Sequence, residues 1–128
     1  MMTLDATISR LKSYIGEVEE DMLFEKFDEL SPLFQKMCDE FPLSGEKENL
    51  IINLKDSKYI KIEDTVLRFV VNQEKRVIDV EQRSGTGVTK LDELYLLENE
   101  LYSSRSGMRF SEWRFNSYLK EVFAEILD

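Results

Sequence analysis

The 128-residue chain contains no histidine and one cysteine, Cys38, and this narrows the chemistry open to it. Without imidazole there is no side chain of the usual kind for general base work near neutral pH, nor the commonest transition-metal ligand. Zinc sites of the Cys/His kinds, and Ser-His-Asp or Cys-His nucleophile systems, are excluded by count alone. Carboxylates, lysines, tyrosines or a magnesium-like ion are what remain. The acidic clusters Glu17-Glu19-Glu20-Asp21, Asp92-Glu93 and Glu98-Glu100 lack the spacing of a calcium loop and read as solvated faces. Gly85-Thr86-Gly87-Val88-Thr89-Lys90 has glycines that would let amides approach a phosphate, but it lacks the full G-x-x-x-x-G-K-[ST] pattern and reads as an inter-strand loop. Cys38 follows Met37 on an apolar helix face, where a thiol behaves as a small hydrophobe. No catalytic, cofactor-binding or metal-ligating residue is assigned.

Two surfaces are better suited to binding than to catalysis. Arg105, Arg109 and Arg114 form the one locally basic region, with Phe110 and Trp113 interleaved. Arginine and tryptophan are enriched at interaction hot spots, so these five residues make a candidate partner-binding patch. The competing reading has the aromatic rings closing the core and the arginines pairing with surplus carboxylates. The second surface is one face of a sheet carrying Val66, Arg68, Val70, Val77 and Asp79. If the N-terminal helices cover that face, its valines are core; if every helix packs on the other side, the strip stays exposed and suits docking or dimerisation.

Residues 59–83 must build that sheet. Leu67, Phe69 and Val71 alternate with Val66, Arg68 and Val70, and Ile78 and Val80 alternate with Val77, Asp79 and Glu81. A period of two marks strands with two distinct faces. With residues 72–75 as the loop, the expected pairs are Val71 with Arg76, Phe69 with Ile78, Leu67 with Val80, Arg68 with Asp79 and Val70 with Val77. Asp56-Ser57-Lys58 reads as a turn, and residues 59–62 as a further short strand. Residues 90–104 read either as a helix with the stripe Leu91, Leu94, Tyr95, Leu97, Leu101 and Tyr102 or as a hairpin of strands 93–97 and 100–103 about Glu98-Asn99. The hairpin is preferred, an asparagine being at ease with positive φ and Tyr102-Ser103-Ser104 being poor helix formers. Leu50, Ile51, Ile52 and Leu54 make an apolar run that is either a strand or a helical turn.

Helices flank the strands. Leu4, Ile8, Leu11, Ile15 and Val18 step by four and three along one stripe, with Thr3 as N-cap and an end near Gly16. A second helix from about Asp21 buries Phe24, Phe27 and Leu30, and Ser31-Pro32 starts a fresh turn, Ser31 as N-cap. Phe34, Met37, Cys38 and Phe41 continue the buried face to Pro42. At the other end Ser111 caps a helix whose stripe is Phe115, Leu119, Val122 and Ile126, widened by Phe123 and Leu127.

The fold class is therefore α+β, a single domain over residues 1–128. It has two to three N-terminal helices, a central antiparallel meander of about five strands, and a C-terminal amphipathic helix packed on the sheet. A net charge of −9 disfavours a general nucleic-acid binder, which needs a basic footprint. The first 21 residues lack a basic region and apolar core of the signal-peptide kind, no apolar run is long enough to span a bilayer, and the lone cysteine suits a reducing compartment. A cytoplasmic protein, with no cofactor and no membrane association, is expected. By elimination the function reads as protein interaction without catalysis, through a protein partner or a homodimer: an adaptor, an immunity-like inhibitor or a chaperone-like binder. The alternative is a small-ligand protein, or an enzyme working with Tyr59, Tyr95 or Tyr102 and carboxylates, with a pocket between helices and sheet.

Overall fold

An apolar helix stripe needs a surface to lie on, and here the helices that pack on the sheet share one of its faces, while the stripe of Leu4, Ile8 and Leu11 in the first helix stays exposed. The computed structural model describes residues 3–15, 17–41 and 47–127. Three helices come first, α1 (Leu4–Ile15), α2 (Glu17–Asp28) and α3 (Ser31–Glu40). The strands follow as β1 (Asn49–Asn53), β2 (Ser57–Ile62), β3 (Thr65–Asn72), β4 (Val77–Ser84), β5 (Gly87–Leu97) and β6 (Glu100–Ser103). The chain then returns in α4 (Glu112–Val122) and α5 (Ala124–Leu127). All strands pair antiparallel in chain order, a six-stranded meander. This is the expected α+β architecture, with β1, built on Leu50, Ile51 and Ile52 of the apolar run, as the additional strand.

Local signals account for most boundaries. The Thr3 hydroxyl accepts the Ala6 N–H at 3.2 Å, the N-cap that starts α1. α2 begins at Glu17, earlier than expected, whereas Gly16 and Pro42, read as helix ends, lie outside the described residues. Pro32 sits in the first turn of α3, where a missing N–H costs no helix bond, but the N-cap position is Leu30 rather than Ser31. Glu98 and Asn99 adopt φ of 51° and 66°, the left-handed pair that a two-residue hairpin turn requires. The glycine stretch is a tight turn: Ser84 pairs with Gly87, and Gly85 takes φ 59°. Ser57 and Lys58, read as a turn, open β2.

The β3–β4 register differs from the expected one by two residues. Phe69 pairs with Val80, Val71 with Ile78, Arg68 with Glu81 and Val70 with Asp79. The loop is residues 73–76, because Asn72 still pairs with Val77 and its side-chain oxygen accepts the Lys75 N–H at 3.1 Å. Arg76, at φ 58°, completes the reversal. Such asparagine-anchored turns compete well with an extra pair of ladder bonds. A shift of two keeps every side chain on its face. Leu67, Phe69, Ile78 and Val80 are accordingly all fully buried.

Phe69 is the centre of the core. Its ring lies 5.6 Å from that of Phe34 on α3, 5.8 Å from Phe115 and Tyr118 on α4, and 6.3 Å from Phe110. Leu23 and Phe27 of α2, with Leu30 at the turn into α3, close the same cluster. Of the residues expected in the C-terminal stripe, Phe115, Val122 and Phe123 are buried, but Ile126 and Leu127 are exposed. The helix breaks at Phe123, whose backbone leaves helical geometry, and the last turn no longer follows the stripe. Cys38 is exposed, not part of the core, since the buried line of α3 runs through Phe34, Met37 and Phe41. No described helix is long and apolar enough to cross a membrane.

Phe69→Ala removes the ring on which α3, α4 and the loop before α4 converge. The expected cost is about 3–5 kcal/mol, read as a fall in the urea unfolding midpoint. A loss below about 1 kcal/mol would show that the cluster is not the centre of the core.

Candidate functional site

Burying one sheet face leaves the other without a helix among the described residues. Side chains on that open face are held by one another. Arg68 approaches Glu81 at 3.5 Å, Lys90 approaches Asp79 at 3.1 Å, and Lys75 approaches Glu93 at 3.9 Å. Asn72 donates to Asp79 at 3.1 Å, and Tyr95 stacks on Tyr102 across β5 and β6. Val66 and Val70 are half-buried among these groups, and Val77 is buried beneath them. The Val66, Arg68, Val70, Val77, Asp79 strip is thus a mixed-charge surface with small apolar gaps.

A concavity of about 560 Å³ opens on this face, lined by Ser57, Tyr59, Lys61, Val66, Arg68 and Arg83. Register explains the grouping: Tyr59 pairs with Arg68, Lys61 with Val66, and Val66 with Arg83, so alternate residues of β2, β3 and β4 converge. Three cations meet here in a chain of net charge −9. Their own partners are long or peripheral. Arg68 and Arg83 share Glu81 at 3.5 and 3.9 Å, Arg68 Nε reaches Ser57 Oγ at 3.4 Å, and Lys61 meets the exposed Glu48 at 3.1 Å. Two guanidinium forks and a tyrosine edge around an open hollow suit a carboxylate or another flat anion.

The other predicted patch is divided by the structure. Phe110 stacks on Tyr118 and packs on Phe69, and Arg114, its side chain 13% exposed, lies over the Tyr118 ring. Arg105 pairs with Glu121 at 2.7 Å and Arg109 with Glu100 at 3.0 Å. Trp113 stands apart from the other four, 68% exposed beside a groove between α3 and α4. The space between helices and sheet is filled by aromatic rings, and Tyr59, Tyr95 and Tyr102 point to the open face instead.

A family described as a protein of unknown function, DUF3942, matches residues 4–127. The chain belongs to the DUF3942 family. The match runs from the first residue of α1 to the last of α5, so it covers both the helical layer and the open face. No curated protein and no solved structure matches the chain.

Two buried polar groups of this DUF3942 chain escaped the sequence reading. Asp92 was assigned to a solvated cluster, yet it is buried. A β-bulge between Val80 and Glu81 leaves Leu91 unpaired on β5, and the extra residue turns Asp92 to the helix side with Leu94. There Asp92 Oδ2 accepts from the hydroxyls of Ser103 and Tyr118, while Oδ1 accepts the N–H groups of Glu93 and Arg105 at 2.8 and 2.9 Å. Arg114 Nε lies 3.9 Å away. One carboxylate thereby ties β5, β6, the following loop and α4. Its shared phase with Leu94 and Leu96 was the signal available in the sequence. Lys58 is the second: buried on β2, it donates to Asn53 Oδ1, to Leu54 O at 2.8 Å and to Ser31 Oγ at 3.1 Å, 4.8 Å above the Phe27 ring. Both groups are saturated with partners from their own chain, which makes them structural ties.

Burial first, then the bond to Asp92, pushes the Tyr118 pKa well above its ordinary 10.0. The unfolded chain sheds this proton from about pH 10 while the folded chain keeps it, so the stabilisation is complete below pH 10 and is lost as pH rises further. Burial lowers the Lys58 pKa against the pull of Asp28, and that contribution runs the opposite way, raising stability with pH. Comparing wild type with Tyr118→Phe cancels the lysine. Tyr118→Phe should cost roughly 1–3 kcal/mol at neutral pH, and denaturant titrations should show the gap narrowing as pH rises from about 10 to about 11. A gap that widens over this range would contradict the assigned burial of the hydroxyl.

Proposed function

We propose that this chain is a protein-interaction module, of the adaptor or inhibitor kind, that docks a protein partner on the open face of its sheet. The observation that carries the reading is the concavity of Tyr59, Lys61, Arg68 and Arg83, a cationic hollow on an acidic protein. A carboxylate projecting from the partner fits between the guanidinium groups, where it can make shorter, charge-assisted bonds than the long contacts to Glu81. Tyr59 supplies the aromatic contact that interaction hot spots favour. Around the hollow the alternating signs of Asp79, Lys90 and Glu93 ask for a partner of mixed charge and set its orientation. The overall charge of −9 steers basic proteins toward the chain and away from nucleic acid and anionic membrane.

The test is capture of the tagged chain's partner from its native cell extract, with wild type beside an Arg68→Ala, Arg83→Ala double variant. Each truncation is expected to weaken binding about tenfold, and raising the salt concentration should weaken wild-type binding further. A partner held equally by both proteins would move the interface elsewhere, and recovery of no partner above background would overturn the interaction reading.

A further inference from the structure

At the β1 margin the sheet ends in a strand that is complementary to itself. β1 pairs with β2 so that the Leu54 N–H donates to Ser57 O at 3.0 Å and the Glu63 N–H to Glu48 O at 2.9 Å. In an antiparallel pair such bonds fall on alternate residues. With Leu50 opposite Lys61 and Ile52 opposite Tyr59, the residues bonded to β2 are Glu48, Leu50, Ile52 and Leu54. Asn49, Ile51 and Asn53 therefore turn both main-chain groups outward, where no strand among the described residues meets them. Natural edge strands are blunted by charges, prolines or bulges. Asn49-Leu50-Ile51-Ile52-Asn53 has none of these, and it reads nearly the same in both directions.

We propose that β1 pairs antiparallel with β1 of a second copy of this chain, about a two-fold axis through Ile51, and joins the two sheets into one. In that register Ile51 faces Ile51, and Asn49 faces Asn53 of the other copy, so the outward N–H and C=O groups bond one another. Between them Leu50 faces Ile52 of the other copy on the open side, and Leu50 is 44% exposed in the single chain. Pairs of this non-bonded kind bring their side chains closest, which favours an apolar contact. A slip of two residues sets Ile52 against Glu48, or Glu48 against Asp56, and leaves part of the strand unpaired. Past the ladder Lys47 comes opposite Lys55 of the other copy, an exposed like-charge pair of small, screened cost. On the helix side α3 lies over β1 and β2. With strands about 4.8 Å apart, the two α3 helices stand about 10 Å apart across the axis, an ordinary packing distance. The side of α3 away from its groove with α4 carries exposed Gln35 and Cys38, so uncharged side chains meet there. Each copy offers the same edge to the other, so the assembly closes at two. The hollow of Tyr59, Arg68 and Arg83 stays open in the dimer, and only docking that also takes the β1 main chain competes with it.

Sedimentation of the full chain over a concentration series tests this. Wild type is expected at twice the mass of one chain. The dimer should tighten with added salt, since each copy carries a charge of −9, whereas partner docking weakens. Asn49→Pro removes an outward donor and no bond to β2, and Leu50→Glu sets a carboxylate against Ile52 of the other copy. Each should weaken the dimer about tenfold or more, with the urea midpoint at monomeric concentration close to that of wild type. In a Cys38→Ser background, Leu50→Cys with Ile52→Cys should lock the dimer covalently on mild oxidation. Leu50→Cys alone should not, because an offset of two residues exceeds the reach of a disulfide. A wild-type monomer at every concentration overturns the proposal. So does a dimer that survives both edge variants, or one that Leu50→Cys alone locks as fully as the pair. Arg68→Ala with Arg83→Ala should leave the dimer intact, which keeps this outcome separate from the test of partner docking.

Discussion

Packing around Phe69 is the constraint on which the rest of the fold depends. Rings from α3, from α4 and from the loop before α4 all meet its ring. Phe69 stands on one face of β3, so each helix that touches it must lie on that side. A chain of this size has enough apolar residues to cover one sheet face well, and its polar and charged residues fall on the other. The open face, with its ladder of opposite charges, is thus a consequence of where the aromatic residues converge.

Polar groups then set the geometry within the apolar layer. Asp92 and Lys58 sit at separate places on the buried face, and each gathers donors or acceptors from segments far apart in the chain. Dispersion and burial favour contact but specify orientation weakly, whereas a carboxylate that must receive four hydrogen bonds accepts few arrangements. The bulge at Leu91 belongs to the same device. It turns Asp92 inward and, by the same half-step, brings Leu94 to the core. Sites saturated in this way have no capacity left for a ligand.

The sequence made the layers legible because they depend on periodicity. Alternation in β3 and β4 identified the buried face, and stripes of three and four identified the helices. Register was less accessible, since Asn72 could serve either as loop or as ladder residue, and its turn with Lys75 and Arg76 decides between them. Asp92 was hidden for a related reason. Beside Glu93 it resembles part of a solvated run, and the bulge at the neighbouring Leu91 breaks the alternation with Lys90 that would have marked its face. The cationic hollow was half visible: Arg68 was placed on its face, but Tyr59, Lys61 and Arg83 join it only through pairings between three strands. Sequence patterns report a residue's own environment well, and they report convergence only where register is already known.

Sheet edges bear on the same question, because an antiparallel sheet with an open face also risks pairing through its margins. β6 is only four residues long, and its outer side is occupied by the chain's own return. The Ser103 N–H donates to Met108 O at 2.9 Å and the Phe110 N–H to Leu101 O at 2.8 Å, with Tyr102 and Arg109 bridged. At the opposite margin β1 has no strand beyond it among the described residues. The cationic hollow lies on β2, β3 and β4, toward the β1 margin and away from the one that the chain's return covers. For the proposed docking of a carboxylate, the β1 margin would add main-chain hydrogen bonding beside the side-chain contacts. Near β6 the return segment already takes the main-chain groups, so the proposed docking is better served on the β1 side of the open face.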